Sequence, residues 1–442
     1  MMKHARCIIA VLASLCLLVP GRIVGGPAAQ WLSDDGSYAD NEAIRYATTP
    51  PSDAIARLQR EIDADATRLS FDAETGYLQS VLQALQIPVA SQLLVFSKTS
   101  FQRDLISPAR PRALYFGPNV YVGWIPGAPQ LEIASADPHL GAVFYTLRQE
   151  KTVHPAFQRE TQRCLQCHES ASQTAGVPGF LMKSVVPDAT GEPILAAGTF
   201  VTTDQSPLAQ RWGGWYVTAA RASSDHMGNL IARDTATRTR LDRGADADTY
   251  LTRHSDIVAL MVFAHQKHVQ NLITRLNYRT RMAAYFDHIR NVELGRDVDF
   301  LPPDTRSLIA REAEALVDAM LFVGEAPLNG VVEGTSGFAA RFAIDGPRDA
   351  AGRSLRDLDL KDRLFRYPCS YLIYSESFDG LPVAARDRVY ERLWAVLDGE
   401  DRSAAFSHLT PMDRSAITAI LLDTKPEFAA WRAAHAGIVR SR

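Results

Sequence analysis

Long apolar runs are scarce in this chain, and so are cysteines. Five of its 442 residues are cysteine, and two of these, Cys7 and Cys16, lie in an apolar N-terminal stretch. The other three, Cys164, Cys167 and Cys369, are too few for a disulfide framework. Beyond the N-terminal stretch no run is apolar and long enough to cross a bilayer. Charge of one sign is lacking as well. Lys and Arg number 47 against 50 Asp and Glu, a net charge of -3. That excludes a strongly basic surface for nucleic acid or anionic lipid. There is no solenoid or propeller period, no low-complexity tract, no phosphate loop and no nucleophile elbow. Asp357 and Asp359 read as solvated or capping carboxylates, and residues 334–337 as a flexible turn. A second Cys-x-x-Cys knuckle is also missing, which excludes a four-ligand zinc site built from two knuckles.

What is present begins with a leader. Lys3 and Arg6 precede an apolar run over residues 7–19, then Pro20, Gly21 and small residues up to Ala28 and Ala29. This pattern predicts a secretory signal peptide over residues 1–29 and a periplasmic mature chain with no transmembrane span.

The central feature is Cys164-Leu165-Gln166-Cys167-His168, a C-x-x-C-H sequence. Two thiols three positions apart reach two vinyl groups on one edge of a porphyrin, and the next residue offers an imidazole to the iron. The motif predicts one covalently bound haem c, with Cys164 and Cys167 as attachment points and His168 as proximal ligand. A thioredoxin-like dithiol would open a helix after a buried strand, but residues 157–163 are mostly polar.

Residues 151–240 thus read as a cytochrome c-like segment. Arg211 and Trp212, in the run Arg211-Trp212-Gly213-Gly214-Trp215-Tyr216, are candidate donors to the haem propionates, because guanidinium and indole N–H groups suit carboxylates. Aromatic core packing is the alternative. The second axial position has three candidates, Met227, His226 and His265, and a five-coordinate iron is the fourth possibility. Met227 would raise the reduction potential, and an open position would permit ligand chemistry.

Flanking this segment, residues 30–150 predict an α+β domain. Helices are expected over residues 52–66 and 75–85. Short strands are expected over 92–97, 113–116, 120–125, 131–134 and 142–147, with a hairpin turn at residues 117–119. Residues 241–442 predict a mostly helical region. It starts with a helix over 253–277 that places Ile257, Met261, His265, His268 and Leu272 along one side. The fold class expected is α+β. Cys369 reads as a buried free thiol.

Residues 91–102, 111–124, 164–187, 211–229 and 367–378 resemble a group of bacterial secreted monohaem c-type cytochromes of about this length. The resemblance implies haem and a periplasmic location. It also makes Pro178 the candidate whose carbonyl orients the proximal imidazole, as in small cytochromes c. The expected activity is single-electron transfer with a redox partner protein or a small-molecule donor or acceptor. The alternative is a haem-dependent oxidoreductase or peroxidase with an open or displaceable sixth ligand. A chain this long needs only a fraction of its residues to wrap one haem.

Overall fold

A computed structural model describes residues 39–222, 224–234, 237–241 and 247–435. The predicted signal peptide lies outside the described residues. Asp53 caps the first helix, α1 (Ala54–Asp63), its Oδ1 accepting from the backbone N–H of Ile55 at 2.8 Å and Ala56 at 3.3 Å. Ile55, Leu58 and Ile62 form its buried side. A shorter helix, α2 (Leu78–Ala84), follows.

Six strands then form one antiparallel meander: β1 (Leu93–Val95), β2 (Arg112–Phe116), β3 (Val120–Trp124), β4 (Gln130–Asp137), β5 (Gly141–Arg148) and β6 (Phe157–Glu160). The β2–β3 hairpin turns where Gly-Pro-Asn was expected, with Gly117 N–H donating to the Val120 carbonyl at 2.9 Å. The sixth strand is an addition to the sequence reading. It is a polar edge strand with Phe157 as its one buried residue.

Strand alternation sorts the side chains. Registers Leu114–Gly123–Glu132–Thr146 and Phe116–Tyr121–Ala134–Phe144–Glu160 fix one sheet face. The other face carries Tyr115, Val122, Ile133 and Tyr145. That second face meets α1: the Tyr145 hydroxyl donates to Asp53 Oδ2 at 2.6 Å. At one end the first face packs into the main core through Phe116, Tyr121, Ala136, Ala142 and Phe144. At the other end Arg112, Leu114, Glu132, Ala134 and Thr146 remain partly exposed.

Past the sheet come a one-turn helix, α3 (Leu165–His168), and two small ribbons. These are β7 (Lys183–Val185) with β8 (Thr199–Val201), and β9 (Leu230–Ala232) with β10 (Arg238–Arg240). The longest element is α4 (Ile257–Glu293), 37 residues and about 55 Å at the usual rise. It extends well beyond the expected 253–277. Asp256 caps it, accepting from Val258 N–H at 2.8 Å. Its polar side chains hold the sheet's turns. Gln266 donates to the Gly117 carbonyl at 2.8 Å, Gln270 to Pro118 at 2.9 Å, and the Tyr278 hydroxyl to Leu140 at 2.9 Å. Six further helices complete the chain: α5 (Pro303–Met320), α6 (Phe338–Ile344), α7 (Glu376–Asp379), α8 (Val383–Leu397), α9 (Pro411–Thr424) and α10 (Pro426–Ala434). The architecture is α+β, a sheet in the first part and helices in the last. One apolar core runs from Leu93 to Phe428 and draws side chains from all three regions of the sequence. No helix among the described residues is long and apolar enough to cross a membrane.

Candidate haem site

The motif follows the edge strand directly. β6 ends at Glu160, and Cys164 begins a single helical turn in which His168 N–H donates to the Cys164 carbonyl at 3.0 Å. In this turn Cys164 and Leu165 pack onto the main core. Cys164 is half-buried, Cys167 is exposed, and both are free. Burial, with added repulsion from Glu160 and Glu132, pushes the Cys164 thiol up to about 12. A dithiol redox centre needs a low-pKa thiolate, so this environment argues against one.

His168 is held from one side. Its Nδ1 lies 2.9 Å from the carbonyl oxygen of Gly179. A carbonyl only accepts, so Nδ1 carries the proton and Nε2 presents its lone pair. No described residue hydrogen-bonds to Nε2. The Phe144 ring packs 4.7 Å from the imidazole centroid. Burial lowers the His168 pKa to about 4, and the charges of Arg112 and Lys183 push the same way, while the Gly179 bond and Glu132 oppose. At neutral pH the ring is therefore an uncharged, oriented imidazole whose tautomer is fixed by the Gly179 carbonyl, the form that can act as a nitrogen ligand. The orienting carbonyl belongs to Gly179, not Pro178. Pro178 turns its own carbonyl to the backbone N–H of Ala142 at 3.0 Å. The Gly179 segment is fixed in turn by Asn271 on α4. Its Oδ1 accepts from Phe180 N–H at 2.8 Å, and its Nδ2 donates to the Phe180 carbonyl at 2.9 Å.

Beside the motif lies the partly exposed end of the sheet face. Leu114 and Ala134 give it an apolar surface, and Gly123 keeps it flat. A Cβ at Gly123 would meet Leu114 Cδ2 at 3.4 Å and Arg112 Cδ at 3.5 Å. At its rim Arg112 pairs with Glu132 at 2.9 Å. Buried atoms there lack partners: Arg112 Nε and Gln102 Oε1. An apolar strip with cationic donors at its edge, next to two free thiols and a free imidazole nitrogen, fits a macrocycle with apolar faces and carboxylate tails. No cluster of three or more His, Cys, Asp or Glu among the described residues has metal-holding geometry. An iron whose in-plane ligands come from a porphyrin needs none.

Other sequence candidates fall elsewhere. Trp212 is wholly buried in the core in a left-handed conformation (φ 67°), and its Nε1 has no partner. Arg211 is buried too, with Nε donating to the Ser206 carbonyl and Nη2 to that of Asp204, both at 2.7 Å. Its donors are directed at its own loop rather than outward. Met227 belongs to a small separate cluster with Val186 and Ala232, and its sulfur faces the Ser184 hydroxyl at 3.8 Å. Strand alternation places Ser184 and Lys183 on opposite sides of β7, and Lys183 is the neighbour whose charge His168 feels. His226 packs its ring on Trp212 at 5.3 Å. His265 is fully buried with both nitrogens engaged: Nδ1 with Asp204 Oδ2 at 3.4 Å and Nε2 with Ser370 Oγ at 2.8 Å. It is a satisfied core histidine, stacked on Phe322 at 4.2 Å. Cys369 is buried and unpaired, as expected.

The residues missed from sequence are Gly179, Phe144, Asn271, Arg112, Glu132 and Lys183. Gly179 adjoins the proline that was named. The others come from strands and a helix far along the chain, and no spacing rule links them to the motif. A comparison of the chain with protein-family models, with curated proteins and with solved structures finds no match.

Proposed function

We propose that this protein is a periplasmic c-type cytochrome with one haem joined covalently to Cys164 and Cys167 and coordinated by His168. Its activity on this reading is single-electron transfer to or from a redox partner protein or small molecule. One observation carries the proposal: the imidazole beside two free cysteines is held by Gly179 at Nδ1 and keeps Nε2 free. A bound haem supplies a one-electron iron couple at this place. The chain's own residues do the rest. Gly179 orients the imidazole, and Leu114, Ala134 and Phe144 exclude water from one side. Lys183, and Arg112 through the donors its pair with Glu132 leaves free, are the cationic groups near His168 for carboxylate tails, in place of the interior Arg211 and Trp212.

A second reading has an observation of its own. Met227, His226 and His265 all have packing partners different from those of His168. That separation favours an open or displaceable sixth position, and with it an oxidoreductase or peroxidase that would bind a small ligand at iron.

The test is spectroscopic. The chain, secreted by a host that matures c-type cytochromes, is expected to be coloured and heavier by one haem in mass spectrometry under denaturing conditions. A colourless product of unmodified mass refutes the proposal. A low-spin spectrum in both oxidation states favours electron transfer, and a high-spin ferric spectrum favours catalysis.

A further inference from the structure

Away from the motif, the β9–β10 ribbon, the loop before it and the segment leading to α4 enclose a groove of about 1370 Å³. Among the described lining residues arginine is the dominant charged type: Arg221, Arg238, Arg240 and Arg253. Arg238 and Arg240 stand two positions apart on β10, opposite Ala232 and Leu230, so strand alternation turns both guanidiniums to one side. Arg221 comes from a different element, bridged to Glu333 by its backbone. The Arg240 charge is felt by His226, which lines the same space.

Several part-buried arginines in this protein have a carboxylate. Arg112 has Glu132 at 2.9 Å, Arg353 has Asp349 at 2.7 Å, and Arg363 has Asp413 at 2.7 Å. In the groove only Arg253 is matched, by Asp248. Arg221, Arg238 and Arg240 are exposed to solvent and have no ion-pair carboxylate among the described residues, although Asp225 also lines the groove. Guanidiniums that line one groove repel one another, and an incoming anion offsets that cost while accepting forked hydrogen bonds. The groove exceeds the roughly 300–1,000 Å³ of closed small-molecule sites, so a ligand would lie along it and use more than one charged group.

We infer that this groove binds a small polyanion, a ligand with at least two phosphate or carboxylate groups, through Arg221, Arg238 and Arg240. The inference is independent of the haem reading and is tested on the whole mature chain. Isothermal titration at low salt uses pyrophosphate in one arm and citrate in the other. Micromolar binding is expected in at least one arm. Pyrophosphate alone identifies a phosphorylated ligand, citrate alone a polycarboxylate, and both a general polyanion. Arg238→Gln with Arg240→Gln is expected to weaken binding about a hundredfold, at roughly tenfold per lost charge-assisted contact. Arg221→Gln, on another element, is expected to weaken it about tenfold with the ribbon untouched. Arg233→Gln, outside the groove lining, is expected to leave it unchanged. If neither anion binds below about 1 mM, or if variants whose thermal melts match the parent's also match its affinity, the inference is overturned.

Discussion

Replacing Asn271 by alanine is the sharpest test of how α4 supports the candidate site. The side chain is nearly buried and holds both backbone groups of Phe180, at 2.8 and 2.9 Å. Truncation leaves a buried N–H and a buried carbonyl without partners, at about 1–3 kcal/mol each. A loss of about 2–4 kcal/mol in urea unfolding is expected. The next residue back, Gly179, is the one whose carbonyl orients His168, so the imidazole bond should also loosen. If the two iron oxidation states feel about half of a ~1 kcal/mol hydrogen bond differently, the midpoint potential moves by about 20 mV. A weaker Nδ1 bond makes the ligand less electron-rich, so the expected shift is upward. The double variant sharpens the argument. A Cβ on Gly179 would sit 2.7 Å from Asn271 Oδ1 and 2.9 Å from Thr174 Cβ. Gly179→Ala should therefore cost about 1–3 kcal/mol in the parent and measurably less after Asn271→Ala, where one clash is gone. Additive losses together with an unchanged potential would refute the reasoning.

Four further outcomes are expected. Cys164→Ala with Cys167→Ala should abolish haem staining in a denaturing gel while leaving a folded chain, since neither thiol is in a disulfide. In haem-free protein, His168 titrates near 4 when folded against 6.5 in the open chain. Its contribution is complete above pH 6.5 and fades as pH falls toward 4, by at most about 3 kcal/mol. His168→Phe should flatten that part of the urea-midpoint profile, and an unaltered slope counts against the part-buried neutral imidazole. Met227→Ala should cost about 2 kcal/mol through the cavity it leaves beside Val186 and Ala232, with the haem spectrum unchanged; a low-spin to high-spin conversion would restore Met227 as an iron ligand. Asp204→Asn should destabilise by about 3 kcal/mol in thermal or urea unfolding. Burial raises this carboxyl's pKa, but hydrogen bonds from His265 and His268 outweigh it and hold the group well below its usual range. That stabilisation is present at neutral pH and is lost on strong acidification.

The sheet was the most legible part of the chain. Short β-rich runs within residues 92–147, separated by turns that carry Gly and Pro, located five strands. The edge strand β6 escaped because a strand with one open side has little apolar signal to show. The long helix was read short because residues beyond 277 mix charged and apolar side chains, and its polar residues are spent on the sheet's turns rather than on solvent. Within the candidate site, the motif itself was legible because its chemistry is local. Its surroundings were not. Arg211 and Trp212 had the right chemical character, but the loop folds them inward. His265 lay on an apolar helix face, and its partners Asp204 and Ser370 are set only by tertiary structure.

The unequal shielding of the two thiols bears on biosynthesis. Cys164 is packed onto the main core and kept protonated, while Cys167 stands open to solvent. A maturation enzyme arriving after the chain had closed would reach Cys167 more readily than Cys164. On the proposed haem reading, thioether formation at Cys164 is easiest before the motif packs onto the core, which would make cofactor insertion an early event in assembly.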